Sequence, residues 1–255
     1  MSQLHLAIHT TTRLVAIGLK MAEQIDGSEV ELPAFFRHKF SGFPVQSIDE
    51  TRNSFNVWSL RNGFRDCVES LGKFLEETRL VCAVISFGPS RIEREQFNRI
   101  DKEGRKFHRG GLPDKLAELQ KQFSLPIDSD TLLFLESINA ARNCLVHRQG
   151  IVGHPDVSLT GTLEVGWKKF ALFAEGDSGK RTLKPNSVVE AGESLIISIV
   201  NDSKSFQLGD TLLFTVQEFS EIASFLSNFA QLTQQETIKM ARNSGFTISS
   251  PQSTK

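Results

Sequence analysis

Residues able to do acid–base and phosphate chemistry are crowded into one short stretch, "NAARNCLVHRQG" (residues 139–150). Arg142 offers a planar fork of N–H donors that suits a phosphate group. His147 can give or take a proton near neutral pH. On a helix, Asn139, Asn143 and His147 fall on one strip because they are spaced by four residues. The stretch therefore fits proton transfer beside a phosphate, and it also fits a solvated helix end.

Other chemistries fit the sequence less well. Cys144, His147 and His154 offer three possible metal ligands, but they form no paired CxxC or HxxxH and few acids lie near them. The segment "EGDSGKRT" departs from a phosphate-binding loop in its spacing and in its last residue, so we interpret it as a hairpin loop. The sequence contains no G-x-S-x-G nucleophile motif. We therefore expect no metal and no cofactor.

The motif lies at the end of a predicted helix over residues 130–148. Ser129 or Asp130 is the expected cap, and Gly150 is expected to end the helix in a left-handed conformation. The spacing predicts a buried stripe of Phe134, Ile138, Ala141 and Leu145. Apolar residues flank the motif on more than one side, which indicates burial beyond that stripe: Ala140, Ala141, Cys144, Leu145 and Val146.

Further helices are predicted before and after this one. Ser47 and Glu50 match a capping box, and an apolar stripe follows at helical spacing and extends toward "VCAVISF". "LPDKLAELQKQF" is a short helix that starts with a proline. Thr215 and Glu218 match a second capping box before a helix with Phe219, Ile222, Leu226 and Phe229 on one stripe. Near the N-terminus, "HLAIHTTTRLVAIGLKMAEQ" fits either a helix or a pair of strands.

Between residues 151 and 215 the apolar period changes from 3.6 to 2, which predicts strands. The strands are "TLEVGWKKFALFA", "ESLIISIV", "KSFQL" and "TLLFTV". We therefore expect a mainly α fold, a helical bundle with a small antiparallel β insert before the last helix (α+β). Its parts are an N-terminal extension (1–46), a helical core (47–150), the β insert (151–215), a closing helix (216–241) and a flexible tail (242–255).

Composition restricts the possible partners. The formal net charge of -1 excludes a uniformly basic surface, so any contact with nucleic acid needs a local patch. Residues 91–109 hold seven lysines and arginines against four acids, which fits a solvated helix face or a phosphate-contacting patch. The three scattered cysteines, and the lack of a signal-like or membrane-spanning apolar run, lead us to expect a cytoplasmic protein without membrane contact.

The stretch "ARNCLVHRQG" resembles the signature of HEPN domains, in particular their ribonuclease branch: an arginine, a polar residue, and a histidine near the end of a bundle helix. The resemblance covers about residues 47–150 and 216–241. It implies a metal-independent endoribonuclease in which Arg142, Asn143 and His147 are catalytic and the 2′-OH attacks the adjacent phosphate. It also implies a homodimer, with the two motifs meeting at the interface. Expected RNA contacts are Arg148 and, from the charged segment, Arg105, Lys106 and Arg109.

Ribonucleases of this family commonly act as toxins or phage-defence effectors, so the resemblance implies an RNA substrate and an antitoxin or activating partner protein. In one branch a tyrosine two residues after the motif histidine is modified. Here that position is Gln149, and the chain contains no tyrosine, so that mode of control does not apply. The alternative is a non-catalytic, HEPN-like dimeric module that recruits a protein or RNA.

Overall fold

The computed structural model describes residues 3–24, 47–176, 179–184 and 187–248. Six helices and three strands follow one another in this part of the chain: α1 (Gln3–Glu23), α2 (Ile48–Ile85), α3 (Arg94–Arg109), α4 (Leu112–Phe123), α5 (Ser129–His147), β1 (Thr162–Gly176), β2 (Gly179–Thr182), β3 (Ser194–Gln207) and α6 (Val216–Asn243). The mainly helical α+β class, with a small antiparallel sheet before the last helix, is confirmed. None of the described helices combines the length and the apolar character that crossing a bilayer requires.

The long helix α2 is the centre of the bundle and contacts every other described helix. Its predicted capping box is present: the Glu50 amide donates to Ser47 Oγ (3.2 Å), and the Ser47 amide donates to Glu50 Oε2 (2.7 Å). The predicted extension toward "VCAVISF" is also confirmed, since the helix ends at Ile85. Its buried face carries Phe64, Leu71 and Leu75, which other helices cover.

Helix α1, which lies in the predicted N-terminal extension (1–46), packs on this core. Leu4, Ile8 and Val15 are buried against α2 and α6. A Cβ at Gly63 would lie 2.5 Å from Val15, so this glycine lets α1 and α2 approach closely. Residues 25–46, including "LPAFFRHKFSGFPV", lie outside the described residues.

Helix α5 starts one residue earlier than predicted, and its cap is Asp128 rather than Ser129 or Asp130. Asp128 Oδ1 accepts a hydrogen bond from the Thr131 amide (3.0 Å). Its buried stripe includes Ile138 and Ala141 as predicted, but Leu135 and Cys144 take the places predicted for their neighbours Phe134 and Leu145. Leu135, Ile138, Ala141 and Cys144 are fully buried, whereas Phe134 and Leu145 are only half-buried.

Helix α6 closes the bundle as the sequence predicts. Thr215 and Glu218 form the expected capping box, and the predicted apolar stripe, Phe219, Ile222, Leu226 and Phe229, is buried. The helix ends at Asn243, two residues later than predicted, so the first residues of the predicted flexible tail are helical. The last residues of that tail, 249–255, lie outside the described residues.

The sheet has the order β2-β1-β3, and its strands differ from the predicted ones. "ESLIISIV" and "KSFQL" form one continuous strand, β3, because the intervening "NDS" pairs with β1 instead of turning. Asn201 and Asp202 tolerate this position since their side chains bind Asp130 and Lys169. "GKRT", predicted as loop, is strand β2, and "TLLFTV", predicted as a strand, contributes only a single bridge from Thr211 to Ile151.

The β insert contributes to the hydrophobic core that it shares with the helices. Trp167 in β1 is almost completely buried, and its indole N–H donates to Glu221 of α6 (3.0 Å). On the opposite face of β1, a Cβ at Gly166 would lie 2.3 Å from the Phe134 ring of α5. Glycine at this position therefore lets α5 lie directly on the sheet. The first half of β1 is held between α5 and α6.

One buried ion-pair cluster joins α2, α3 and α4. Arg79 of α2 is 1% exposed and donates to Glu118 of α4 (2.9 Å), Glu103 of α3 (3.1 Å) and the Ile100 carbonyl (3.4 Å). Its guanidinium also lies 5.7 Å from the centre of the Phe107 ring. The single guanidinium of Arg79 therefore links both α3 and α4 to α2.

Arg79→Ala should lower the free energy of unfolding by about 3 kcal/mol, because two carboxylates lose their buried partner and a cavity remains. Urea denaturation monitored by circular dichroism measures this. Arg99→Ala is the matched control: Arg99 binds the same Glu103 (2.9 Å) from a solvent-exposed position, and its removal should leave the midpoint unchanged. Equal midpoints for both variants would show that the buried cluster does not stabilise the bundle.

Candidate active site

The motif residues occupy the last turns of α5, where the helix leaves the core. The amides of Arg148 and Gly150 both donate to the Cys144 carbonyl (3.0 and 3.1 Å), which closes the helix end. Gln149 and Gly150 have positive φ angles of 54° and 80°, so the left-handed ending predicted at Gly150 is confirmed. The chain therefore turns away directly after His147, and the imidazole is left exposed at the edge of the bundle.

Arg142 is held by two side chains in a fixed position beside α2. Its Nη2 donates to Oε1 of Glu69 (3.1 Å), and its Nη1 donates to Oδ1 of Asn143 (3.3 Å). The Arg142 side chain is 27% exposed. These contacts use two of the five N–H donors of a guanidinium, which leaves three donors without a partner among the described residues. Arg65 lies 3.8 Å from the same Glu69 oxygen.

Asn143 and His147 are one turn apart on α5, a rise of about 6 Å. Both side chains therefore project from the same strip of the helix, and the bond from Arg142 to Asn143 brings the guanidinium to that strip. Within the described ranges, no side chain lies within hydrogen-bonding distance of His147. The arrangement combines a fixed cation with an accessible group able to transfer a proton, and each chain supplies a single histidine to it.

Arg148 is placed differently from the other motif residues. Its Nε and Nη2 donate to both carboxylate oxygens of Asp156, a side chain that is 2% exposed. The same carboxylate accepts from the Gly153 amide (2.9 Å). Arg148 therefore ties the end of α5 to the turn at 153–156, and the contact with RNA predicted for it stays a prediction.

Cys144 does not combine with the histidines as a metal site would require. It is fully buried, and burial raises the pKa of its thiol to about 11, with a further contribution from the charge of Asp156. A thiol of this kind is a poor ligand, because metals bind the thiolate. Among the residues that the structure describes, no three His, Cys, Asp or Glu side chains are grouped closely enough to hold an ion.

The predicted basic patch lies on α3. Arg105 pairs with Asp101 of the same helix, whereas Lys106 and Arg109 are exposed. His108, next to Arg109, binds Glu76 of α2 (2.9 Å). Glu76 and Glu69 are two turns apart on one side of α2, a distance of about 10 Å. The end of α3 and the contact between Glu69 and Arg142 therefore lie along the same side of α2.

Sequence reasoning missed the contribution of α2 to the site. Beside the motif lies a groove lined by Trp58, Arg61, Asn62 and Arg65 of α2 together with Leu145 and Gln149. Arg61 fixes one end of it by donating to the carbonyls of Gln149 (3.3 Å) and Leu212 (3.4 Å). A signal existed: Trp58 and five polar residues lie on the side of α2 opposite the apolar stripe that predicted the helix, at positions 58, 61, 62, 65, 69 and 76.

Comparison with known proteins assigns no function to the site. The search found no matching protein-family model, no matching curated protein and no matching solved structure. The chemistry proposed below therefore depends on the side chains at the end of α5 and on the helix α2 that holds them.

Proposed function

We propose that the protein is a metal-independent endoribonuclease of the HEPN type. The observation that supports this most directly is the placement of Arg142: Glu69 and Asn143 hold its guanidinium, and Asn143 lies one turn before the exposed His147 on the same strip of α5. A fixed guanidinium suits a phosphorane, whose charge increases during the reaction. An exposed imidazole one turn beyond Asn143 suits proton transfer to or from the same group.

The proposed reaction forms one bond and breaks one bond at phosphorus. The 2′-oxygen of RNA attacks the adjacent phosphate, the 2′-OH proton goes to a base, and the bond from phosphorus to the 5′-oxygen breaks. The 5′-oxygen takes up a proton from an acid, which leaves a 2′,3′-cyclic phosphate and a 5′-OH. His147 transfers protons, Arg142 stabilises the phosphorane, and Asn143 orients Arg142 or binds the phosphate.

Two proton transfers call for two groups, and each motif contains one histidine. We therefore propose a homodimer in which two motifs form a composite site. An exposed apolar surface next to the motif supports this. On α1, Leu14, Ile17 and Met21 form a stripe that is about half exposed or more. The stripe lies beside Gly18, where a Cβ would approach the Phe55 ring to 3.4 Å.

From Phe55 the apolar surface continues to the motif groove. The ring centres of Phe55 and Trp58 are 5.8 Å apart, and Trp58 is 62% exposed. Trp58 also lines the groove with Leu145 of α5. An exposed tryptophan on an apolar surface is typical of an interface, and we propose that a second copy binds here with its motif facing the first.

Trp58→Glu should weaken the dimer at least ~30-fold, the effect of losing about 2 kcal/mol at an interface hot spot. Sedimentation velocity at micromolar concentrations measures this, and cleavage should decline with the dimer fraction. Phe97→Glu is the control, since Phe97 is equally exposed (63%) but lies on α3. A wild-type protein that stays monomeric at these concentrations would contradict the composite site.

The remaining parts of the proposal concern RNA and control. Lys106 and Arg109, with Arg105 and Arg148, are the proposed contacts to RNA flanking the cut site. We propose that the enzyme acts in the cytoplasm as a toxin or phage-defence effector, restrained or activated by a partner protein. The three cysteines, which are buried and unpaired, fit a reducing compartment.

A second candidate function is a non-catalytic dimeric module that recruits a protein or RNA. The observation that favours it is the contact between Glu69 and Arg142, since a carboxylate already neutralises part of the charge that catalysis needs. The experiment is incubation of the purified protein with single-stranded RNA in EDTA. The ribonuclease should cut the RNA, whereas the recruiting module should bind it without cutting.

A further inference from the structure

A long groove lies far from the motif, where the N-terminal end of α5, the sheet and α6 meet. It has a volume of about 610 Å³. One wall is a single face of α6 that carries Glu221, Phe225, Asn228, Leu232 and Glu236 at helical spacing. These residues cover sixteen positions, so the groove extends about 22 Å along the helix. That length matches six or seven extended residues and exceeds most small molecules.

The opposite wall is apolar and continues onto an uncovered face of the sheet. Phe170 of β1 and Ile199 of β3 are paired across the strands and line the groove. The next pair on the same face is Leu172 with Ile197, and Leu195 follows opposite the buried Ala174. The large side chains of this face are 44% to 65% exposed. An apolar face of this size is more than scattered surface residues, and it indicates a binding surface.

The charges around the groove select the kind of partner. Its lining holds four acids, Asp128, Asp130, Glu221 and Glu236, against two lysines. Both lysines already have carboxylate partners: Lys168 binds Asp128 (2.8 Å), and Lys169 binds Asp202 and lies 3.9 Å from Glu221.

The two other acids of the lining are less neutralised. Asp130 accepts a hydrogen bond from the neutral Asn201 amide (3.1 Å), and Glu236 lies 3.5 Å from Lys239 on its own helix. The lining of the groove therefore keeps an excess of negative charge beside its apolar wall. A partner that is apolar and basic complements both features.

We infer that this groove binds a short segment of another protein that carries apolar side chains flanked by lysine or arginine. The apolar side chains lie against Phe170, Ile199 and Leu232, and the basic groups reach Asp130 and Glu236. Nothing in this inference depends on the ribonuclease proposal, because the groove and the motif are formed by opposite ends of α5.

The test is selection of a random peptide display library on the full-length protein, followed by fluorescence polarisation with labelled synthetic peptides. The enriched peptides should combine leucine, isoleucine or phenylalanine with lysine or arginine. Leu232→Ser and Glu236→Lys should each weaken binding at least ~10-fold. Glu236→Lys should in turn favour a peptide whose basic residues are replaced by glutamate. Phe97→Ser is the control, because Phe97 of α3 is about as exposed as Leu232 (63% and 57%), and this variant should bind the peptides like the wild type.

Several results would overturn the inference. One is a library that enriches no peptide, or peptides without basic residues. Another is binding that Leu232→Ser and Glu236→Lys leave unchanged. A third is wild-type self-association that Ile199→Ser abolishes in sedimentation, since the occupant would then be a second copy of this chain. RNA cleavage should be unaffected by the groove variants, so failure here and failure of the proposed activity are separate results.

Discussion

His147→Ala should cut RNA at least ~100-fold more slowly than the wild type, the scale of general acid–base catalysis. The imidazole is the motif side chain that exchanges protons near neutral pH, and alanine leaves no group for that step. The side chain is exposed and contacts no described side chain at hydrogen-bonding distance, so its loss should not disturb the fold. Single-turnover cleavage of a labelled RNA, at equal dimer fraction, measures the effect.

His154→Ala is the matched control for this prediction. His154 is also exposed and follows the motif closely, but it lies beyond the turn that ends α5. Its removal should leave the rate near that of the wild type. If His147→Ala cleaves as fast as the wild type, the stretch at 139–150 is an ordinary helix end, and the proposed chemistry is wrong.

Arg142→Lys should also lose about 100-fold in rate, although it keeps the positive charge. A lysine ammonium has three donors instead of five and no planar fork, so contacts with Glu69 and Asn143 would leave one donor for a phosphate in place of three. Because the missing stabilisation belongs to the transition state, the loss should appear in kcat with little change in KM. Steady-state kinetics with a defined RNA oligonucleotide separates the two constants.

Arg65→Lys is the control for Arg142→Lys, because Arg65 lies near the same Glu69 oxygen without being bonded to Asn143. It should cleave at close to the wild-type rate. A loss that appears only in KM for Arg142→Lys would make Arg142 a residue that binds RNA in the ground state. Equal losses for both variants would mean that both guanidinium groups near Glu69 are needed, rather than only the one bonded to Asn143.

Local signals in the sequence were sufficient for the parts of the fold that local interactions determine. The capping boxes at Ser47 and Thr215 start α2 and α6 as predicted, because each cap is formed within four neighbouring residues. The left-handed ending at Gly150 is local in the same way. The motif helix, the α+β class and the position of the sheet before the last helix followed from periodicity.

Features that depend on distant contacts were not visible in the sequence. "NDS" resembles a turn, yet it continues β3 because Asp130 and Lys169 bind its polar side chains from other elements. The sequence of α1 fitted either a helix or a pair of strands, because the helices that cover its buried residues, α2 and α6, come later in the sequence. The role of Glu69 in holding Arg142 joins residues 73 positions apart, a pairing that no local spacing predicts.

The most direct test of the proposed activity is the analysis of RNA ends after incubation of the purified protein with a single-stranded RNA in EDTA. The proposal predicts products with a 2′,3′-cyclic phosphate and a 5′-OH, and it predicts that a single 2′-deoxy substitution at the cut site blocks cleavage there. Products with a 5′-phosphate, or cleavage that continues at the 2′-deoxy position, would contradict attack by the 2′-OH and with it the roles proposed for Arg142 and His147.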